Sequence, residues 1–508
     1  MTEKKDIIII GGGINGMAIA GQAARMGLKV VLIEQNDLAS GTSSKSTQLI
    51  HGGLRYLQQY YFSLVKKALH ERSLLIKMAP HLIKPMHFIV PYYKESYLRR
   101  FIIRLGLFIY DHLSGHNVLA KAKSIRLNAA PYQSFFKKNI KQGAVYSDAW
   151  TYDSRLVVEW ALLARQNQAT ILTYQDIIEL IETENGWKVE VQDKLTQQRN
   201  TYEAKILVNA TGPWVAHFQK QYLTQYPRAK MRLVKGSHLV LKQELPDDKA
   251  YLFECADGRV IFLTPYEPGY CLLGTTELEY QGPLDDIRVE PVEIEYLLAA
   301  ANVYLQTPLT AEDIAYTFSG VRPLLDDGLH NAHQLSRDYQ LQLQQSEKGH
   351  SILTVLGGKL TTHRRLALDA LILLEKIRPS WPIIPHNRAA TVRERYDEII
   401  FLPGSEPLDE AQFKKSYSFV PTVILSRYLR CYGTLCLFWL KGKSTLADMG
   451  IDFGAGLYQT EVDYLLAQEW VKSIDDLLWR RTRLGLCMDE IDLERLKKYI
   501  LTAVDSIG

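Results

Sequence analysis

Gly11, Gly13 and Gly16 stand at the spacing G-x-G-x-x-G, and an acid, Glu34, closes the next apolar run. That spacing suits the binding of a pyrophosphate through backbone. The first glycine permits a tight turn, the second lets phosphates approach, and the third allows a helix to pack closely on a strand. The start of that helix offers free N–H groups and partial positive charge to an anion. An acid placed as Glu34 is accepts hydrogen bonds from a ribose. Farther along, cationic side chains sit near glycines: Arg55 after Gly52-Gly53, Arg322 in "SGVRPL" and Lys359 after Gly357-Gly358, with Arg337 in "SRDY". Such side chains pair with anions, the arginines through planar two-point contacts. His238, in "VKGSHLVL", is a candidate base, because imidazole titrates near neutral pH.

These groups need elements to carry them. Asp6 to Ile10 is a β-branched run that reads as a buried strand. An Ala-rich helix follows from Met17 to Met26, then a second strand from Lys29 to Ile33. Strand, glycines, helix, strand and acid in that order are far more specific than the glycines alone. The motif does not separate a nicotinamide from a flavin. Residues 40–53, "SGTSSKSTQLIHGG", help. They are small and polar and can lay their backbone along a large ligand, where a nicotinamide-binding fold would continue strand, helix, strand.

Three later stretches repeat the theme. "KILVNATGPWVA" runs a strand into Ala210-Thr211-Gly212. "LTVLGGKLTT" runs a strand into Gly357-Gly358-Lys359, with a helix expected from about Thr361, a second anion-friendly helix start. It lacks P-loop spacing. Residues 231–242 read as two strand pieces around a Gly236-Ser237-His238 turn, and 258–280 as antiparallel strands. From about 385 onward apolar residues fall at helical spacing, so a separate helical domain is expected there. The "RRTR" run at 480–483 reads as a solvated helix face. Residues 97–113, "YLRRFIIRLGLFIYDHL", read equally as a packed helix rimmed by arginines or as an interfacial helix on an anionic membrane.

Composition limits the alternatives. A chain of 508 residues implies two or three domains. A formal charge of +4 on that length does not call for nucleic acid. Five cysteines without a C-x-x-C pair argue against a metal site, and their sparse odd number suits a reducing compartment. Neither a secretory leader nor a membrane-spanning segment is expected.

In this order "IIIIGGGINGMAIA", "TSSKSTQLIHGGLRYL", "MAPHLIKPMHFIVPYY", "LVNATGPWV", "VKGSHLVL", "LLGTTELEY", "SGVRPLLDD", "SRDY" and "GGKLTTHRRLA" closely resemble the FAD-dependent, respiratory glycerol-3-phosphate dehydrogenases. The resemblance spans essentially the whole chain. It implies an α/β fold with a glutathione-reductase-like FAD-binding domain (1–80, 144–229 and 341–384), a β-sheet substrate cap (81–143 and 230–340) and an α-helical C-terminal domain (385–508). It implies oxidation of sn-glycerol 3-phosphate to dihydroxyacetone phosphate, FAD as cofactor, a membrane quinone as acceptor, a homodimer, and a peripheral place on the cytoplasmic face of a bacterial inner membrane. Carried over residue by residue, Gly11, Gly13, Asn15, Gly16 and Glu34 match the adenosine and pyrophosphate segment. Ser43, Ser44, His51 and Gly53 match the stretch beside the flavin, with Ala210, Gly212, Gly358, Leu360 and Thr361 also against the cofactor. Arg55, Tyr56, Arg322, Arg337 and Lys359 match groups around the substrate. His238, Lys359 and Arg322 are the expected catalytic set. His363 stands where the resembled family often has tyrosine. Two rival functions remain at this point: an FAD-dependent amine or amino-acid oxidase using dioxygen, and a membrane-associated flavoprotein without turnover.

Overall fold

A computed structural model describes residues 2–58, 60–93, 97–113, 119–326, 328, 338–378 and 392–507. The central sheet has six strands in the order 340–345, 351–356, 206–209, 7–10, 30–33 and 170–172. All neighbours are parallel except 340–345. Its middle strand, Ile7–Ile10, is buried along its whole length, which is why a run of four isoleucines suits it. The first helix, Ile14–Arg25, begins directly after the glycine turn without a side-chain cap. It packs tightly on helix Asp153–Gln166, since a Cβ on Gly21 would lie 2.7 Å from the Trp160 ring.

A larger cap sheet lies beyond, in the order 278–279, 231–241, 271–274, 260–265, 250–254, 83–91, 142–151 and 49–50. Strand Ile314–Leu325 pairs with Met231–Leu241. Gly236-Ser237-His238 is therefore not a turn. It lies mid-strand, with Gly236 opposite Gly320 and His238 opposite Phe318. The polar residue inside is satisfied there: the Ser237 hydroxyl bonds the Glu293 carboxylate and the Ser319 hydroxyl, both at 2.7 Å.

The C-terminal helices, among them Thr422–Tyr432, Gln459–Gln468 and Glu490–Ile507, do not enclose a core of their own. Phe413, Tyr428 and Trp439 share one apolar cluster with Met17, Ala23 and Trp160 of the nucleotide layer. A fully buried Arg155–Glu469 ion pair crosses the same junction. The expected start of this region, 385, lies outside the described residues. The arginine run corrects a sequence expectation outright. Arg481 and Arg483 are buried, and Arg480 and Arg481 both bind Asp37, which is itself 0% exposed. A buried carboxylate needs such partners, and these are drawn from the far end of the chain.

Helix Tyr97–His112 does the opposite. Tyr97, Leu98, Phe101, Ile102, Leu105 and Phe108 all project into solvent, while Leu107 and Tyr110 face inward. Among the described residues no helix is long and apolar enough to cross a membrane.

Candidate active site

The layers enclose a cleft of ≈ 1070 Å³. Gly11, Gly13, Asn15 and Glu34 line it from the central sheet, as do Ala210, Gly212, Gly358, Leu360 and Thr361. Arg322 lines it from strand Ile314–Leu325 and Lys359 from the loop after strand 351–356.

The glycines do the steric work that their spacing implies. Gly11 has φ +111°, and a Cβ there would lie 2.5 Å from the Ala210 carbonyl oxygen. A Cβ on Gly16 would lie 2.0 Å from the Gly11 oxygen, so Gly16 holds the helix against the turn without lining the cleft. The Ile14 N–H donates to Ser43 Oγ at 3.0 Å. Asn15 donates through Nδ2 to the Gly357 carbonyl at 3.2 Å, and its Oδ1 is buried with no partner. The Glu34 carboxylate accepts from the Gly12 N–H at 2.6 Å and the Asn36 N–H at 2.9 Å. Burial pushes its carboxyl up, and these two backbone donors offset only part of that rise.

The stretch "IHGG" is held from both sides. The His51 N–H donates to Thr361 Oγ1 at 3.1 Å. The Gly52 N–H donates to Tyr110 Oη at 2.8 Å, and that hydroxyl is tied to Asp148, itself paired with Arg72. A Cβ on Gly53 would sit 2.3 Å from the Tyr56 ring, so the second glycine lets Tyr56 fold over the segment. Lys359 Nζ lies 4.2 Å from the centre of that ring. Arg55 opens the short helix Arg55–Gln58; its side chain and Arg337 are outside what the structure describes. Ser44 does not line the cleft and turns its hydroxyl toward the Gly41 carbonyl at 3.5 Å.

His238 sits one layer below the cleft wall. Its ring stacks on Phe318 at 4.9 Å between centroids, with room on the other side that a Cβ on Gly274 would close. Its Nε2 meets Thr47 Oγ1 at 2.9 Å, and Thr47 is the residue that lines the cleft. Burial first, and the nearby Arg322 second, push its pKa down to about 3. Arg322 is 3.7 Å from the Glu277 carboxylate. His363 opens helix His363–Ile377 and is buried: its Nδ1 bonds the Leu360 carbonyl at 2.6 Å and its Nε2 accepts from Trp160 Nε1 at 2.8 Å. Burial pushes it down to about 4, so a neutral ring fills this place.

Sequence reasoning passed over Thr47, Glu277 and Asp37. Thr47 and Glu277 lie inside quoted motifs, but nothing local marks their orientation. Asp37 is three residues past Glu34 and reads as loop until Arg481 is brought to it.

Residues 6–364 match the family model of the FAD dependent oxidoreductases. The chain belongs to that family. An FAD-dependent oxidoreductase needs a cradle for the dinucleotide, and the residues present fit one: a glycine turn that a Cβ would fill, an uncapped helix start and the unpartnered Asn15 Oδ1. Within the family the chain groups with glycerol-3-phosphate dehydrogenases. It is 38% identical to the aerobic glycerol-3-phosphate dehydrogenase of Escherichia coli K12, over 98% of each chain. It is also 38% identical to the D-erythritol 1-phosphate dehydrogenase of Brucella abortus, over 96% of each. Among solved structures, the glycerol-3-phosphate dehydrogenase of Bacillus halodurans complexed with FAD superposes with a TM-score of 0.70 at 26% identity, over 98% of this chain and 89% of that one. The oxidoreductase cofactor is thus FAD, and the α/β fold with its helical C-terminal region is that of the family.

Proposed function

We propose that this enzyme oxidises sn-glycerol 3-phosphate to dihydroxyacetone phosphate and passes the electrons to a membrane quinone. The observation that carries the reading is that Arg322, on cap strand Ile314–Leu325, and Lys359, on the loop after central strand 351–356, both line the cleft that the FAD cradle lines. Two fixed cations suit a phosphate ester better than a neutral amine or a single carboxylate. FAD, when bound, supplies a two-electron acceptor.

The chain's own residues do the rest. Arg322, braced by Glu277, and Lys359, against Tyr56, hold the phosphate and orient the secondary alcohol. Arg55 and Arg337 are the further donors of this set. Oxidation removes a proton from the hydroxyl and a hydride from its carbon. The proton passes to the Thr47 hydroxyl, which hands its own to His238 Nε2; the ring is neutral, and its burial makes it a weak acceptor. A phosphate dianion on Arg322 offsets the second of the two influences that depress this histidine. At the other end, Glu34 would take the ribose hydroxyls, and Ser43, His51 and Gly53 would run beside the cofactor, with Ser44 outside the cleft.

Anaerobic addition of sn-glycerol 3-phosphate to the purified holoenzyme should bleach its visible flavin band. Arg322→Met should need about 10- to 100-fold more substrate, since a hydrogen bond to a charged group is worth about 1.5–3 kcal/mol. No bleaching by this substrate would sink the reading. The equal identity to a D-erythritol 1-phosphate dehydrogenase supports a second one, a longer polyol phosphate at the same cations. Bleaching by D-erythritol 1-phosphate alone would select it.

The quinone reading gives the exposed helix a task. Ile102, Ile103 and Ile109 of helix Tyr97–His112 also line the cleft, so one element joins an apolar surface to the site. We place this helix on the lipid headgroups, at the cytoplasmic face of the membrane. Arg100 and Arg104 would contribute about 1 kcal/mol each near an anionic surface, Arg99 less because it pairs with Glu254, and the inserted apolar side chains the remainder. Phe101→Glu/Phe108→Glu enzyme should no longer float with vesicles of anionic phospholipid, yet should reduce a soluble dye at the parent rate. Undiminished flotation would remove this helix from the membrane.

A further inference from the structure

The three inward-facing arginines just before helix Glu490–Ile507 are not used by the proposed reaction, and where they point is specific. Arg480 and Arg481 converge on Asp37: Arg481 donates to both carboxylate oxygens at 2.9 and 2.7 Å, and Arg480 Nε to Oδ2 at 2.5 Å. Asp37 belongs to the loop that leaves Glu34 and becomes the cofactor wall. Two residues on, Ala39 has φ +59° and donates its N–H to the Gly12 carbonyl at 3.1 Å, pressing that loop onto the glycine turn.

Arg483 makes the second connection. It is 3% exposed, adopts φ +61°, and its guanidinium lies 3.5 Å from the centre of the Tyr152 ring. Its Nη2 is 3.8 Å from Asp153 Oδ1 and its Nη1 3.6 Å from Glu267 Oε1, ion pairs longer than a hydrogen bond. The other oxygen of Asp153 accepts from Ser46 Oγ at 2.7 Å. Ser46 Oγ in turn accepts from the Gln48 N–H at 2.9 Å. Ser46 and Gln48 line the cleft on either side of Thr47. A non-glycine residue in left-handed backbone, with a buried charge stacked on aromatics, is an expensive arrangement to keep for surface solubility.

We propose that the turn 476–483 is a positioning device for the cofactor wall: Arg480 and Arg481 fix its start at Asp37, and Arg483 fixes its middle at Ser46 through Asp153. These arginines touch neither cofactor nor substrate. They set the backbone that does, so the tail is part of the FAD site although the glycine turn lies at the opposite end of the chain. This rests on the FAD cradle and not on the identity of the substrate.

The test uses holoenzyme carrying Arg483→Met and, separately, Arg483→Lys. Read-outs are the FAD dissociation constant, the visible circular dichroism of bound flavin, the KM for the bleaching substrate and the unfolding temperature at saturating FAD. Arg483→Met should raise the FAD dissociation constant by about tenfold and change the flavin dichroism, with KM within about twofold of the parent. Arg483→Lys, which restores the charge toward Asp153, should recover most of both. An unchanged dissociation constant and dichroism would overturn the proposal, with or without a lower unfolding temperature, and leave the turn as a structural staple. Should Arg483→Met yield no folded protein, Ser46→Ala cuts the same connection at its near end without unpairing a charge. It should weaken FAD by about threefold, and an unaltered affinity would again overturn the proposal.

Discussion

Gly16→Ala protein should purify nearly colourless. The single added carbon would lie 2.0 Å from the Gly11 carbonyl oxygen and 3.2 Å from its carbon, so it meets backbone on one side while sitting on helix backbone itself. Neither can swing aside as a side-chain tip can. The helix must lift from the turn, and its N–H groups move away from where a pyrophosphate would lie. Overpacking of this kind costs about 1–3 kcal/mol. If all of it falls on the bound form, FAD affinity drops by about 10- to 100-fold. Absorbance of the flavin band per protein after incubation with FAD, beside far-ultraviolet dichroism to confirm folding, makes the measurement. Stoichiometric flavin with a parental spectrum would contradict the assignment of this turn to the pyrophosphate.

His238→Asn should retain FAD and bind substrate, yet turn over about 10²- to 10⁴-fold more slowly, the usual range for a lost general base. The asparagine still fits beside Phe318 and can bond Thr47, so the change isolates proton acceptance from packing. The effect should fall on kcat with little change in KM, because the histidine is separated from the cleft by Thr47. The parental pH profile supplies a second check. A histidine held at about 3 is already neutral throughout the ordinary working range, so kcat/KM should carry no acid limb from it near 6.5. A loss in kcat smaller than about threefold would exclude His238 as the acceptor.

Those two residues show how unevenly the sequence disclosed its plan. The nucleotide half was legible because its parts are contiguous: Ile7–Ile10, the glycines, the helix from Ile14 and the strand ending at Ile33 lie in one run and act on one another. Alternation between 258 and 280 likewise announced antiparallel strands, found at 260–265 and 271–274. Gly236-Ser237-His238 misled because glycine beside serine usually marks a turn, whereas here the glycine leaves space for Arg322 and Thr275. "RRTR" misled for a different reason. Charge on a helical stretch is ordinarily solvated, and only a partner remote in sequence makes it a buried clamp. Thr47 illustrates the same limit in the site, since its role depends on a strand nearly two hundred residues away meeting it side-on.

The Asp37–Arg481 pair spans 444 residues. A ribosome adding about 5–20 residues each second needs roughly 20–90 s to travel that far. Throughout that time the carboxylate has no partner from its own chain, and strand 351–356 joins the central sheet only late in the same interval. The finished dinucleotide pocket therefore waits on a residue made 444 positions after Asp37. A polypeptide that stopped before Arg480 would bear every glycine of the fingerprint, with the wall beside them still unanchored.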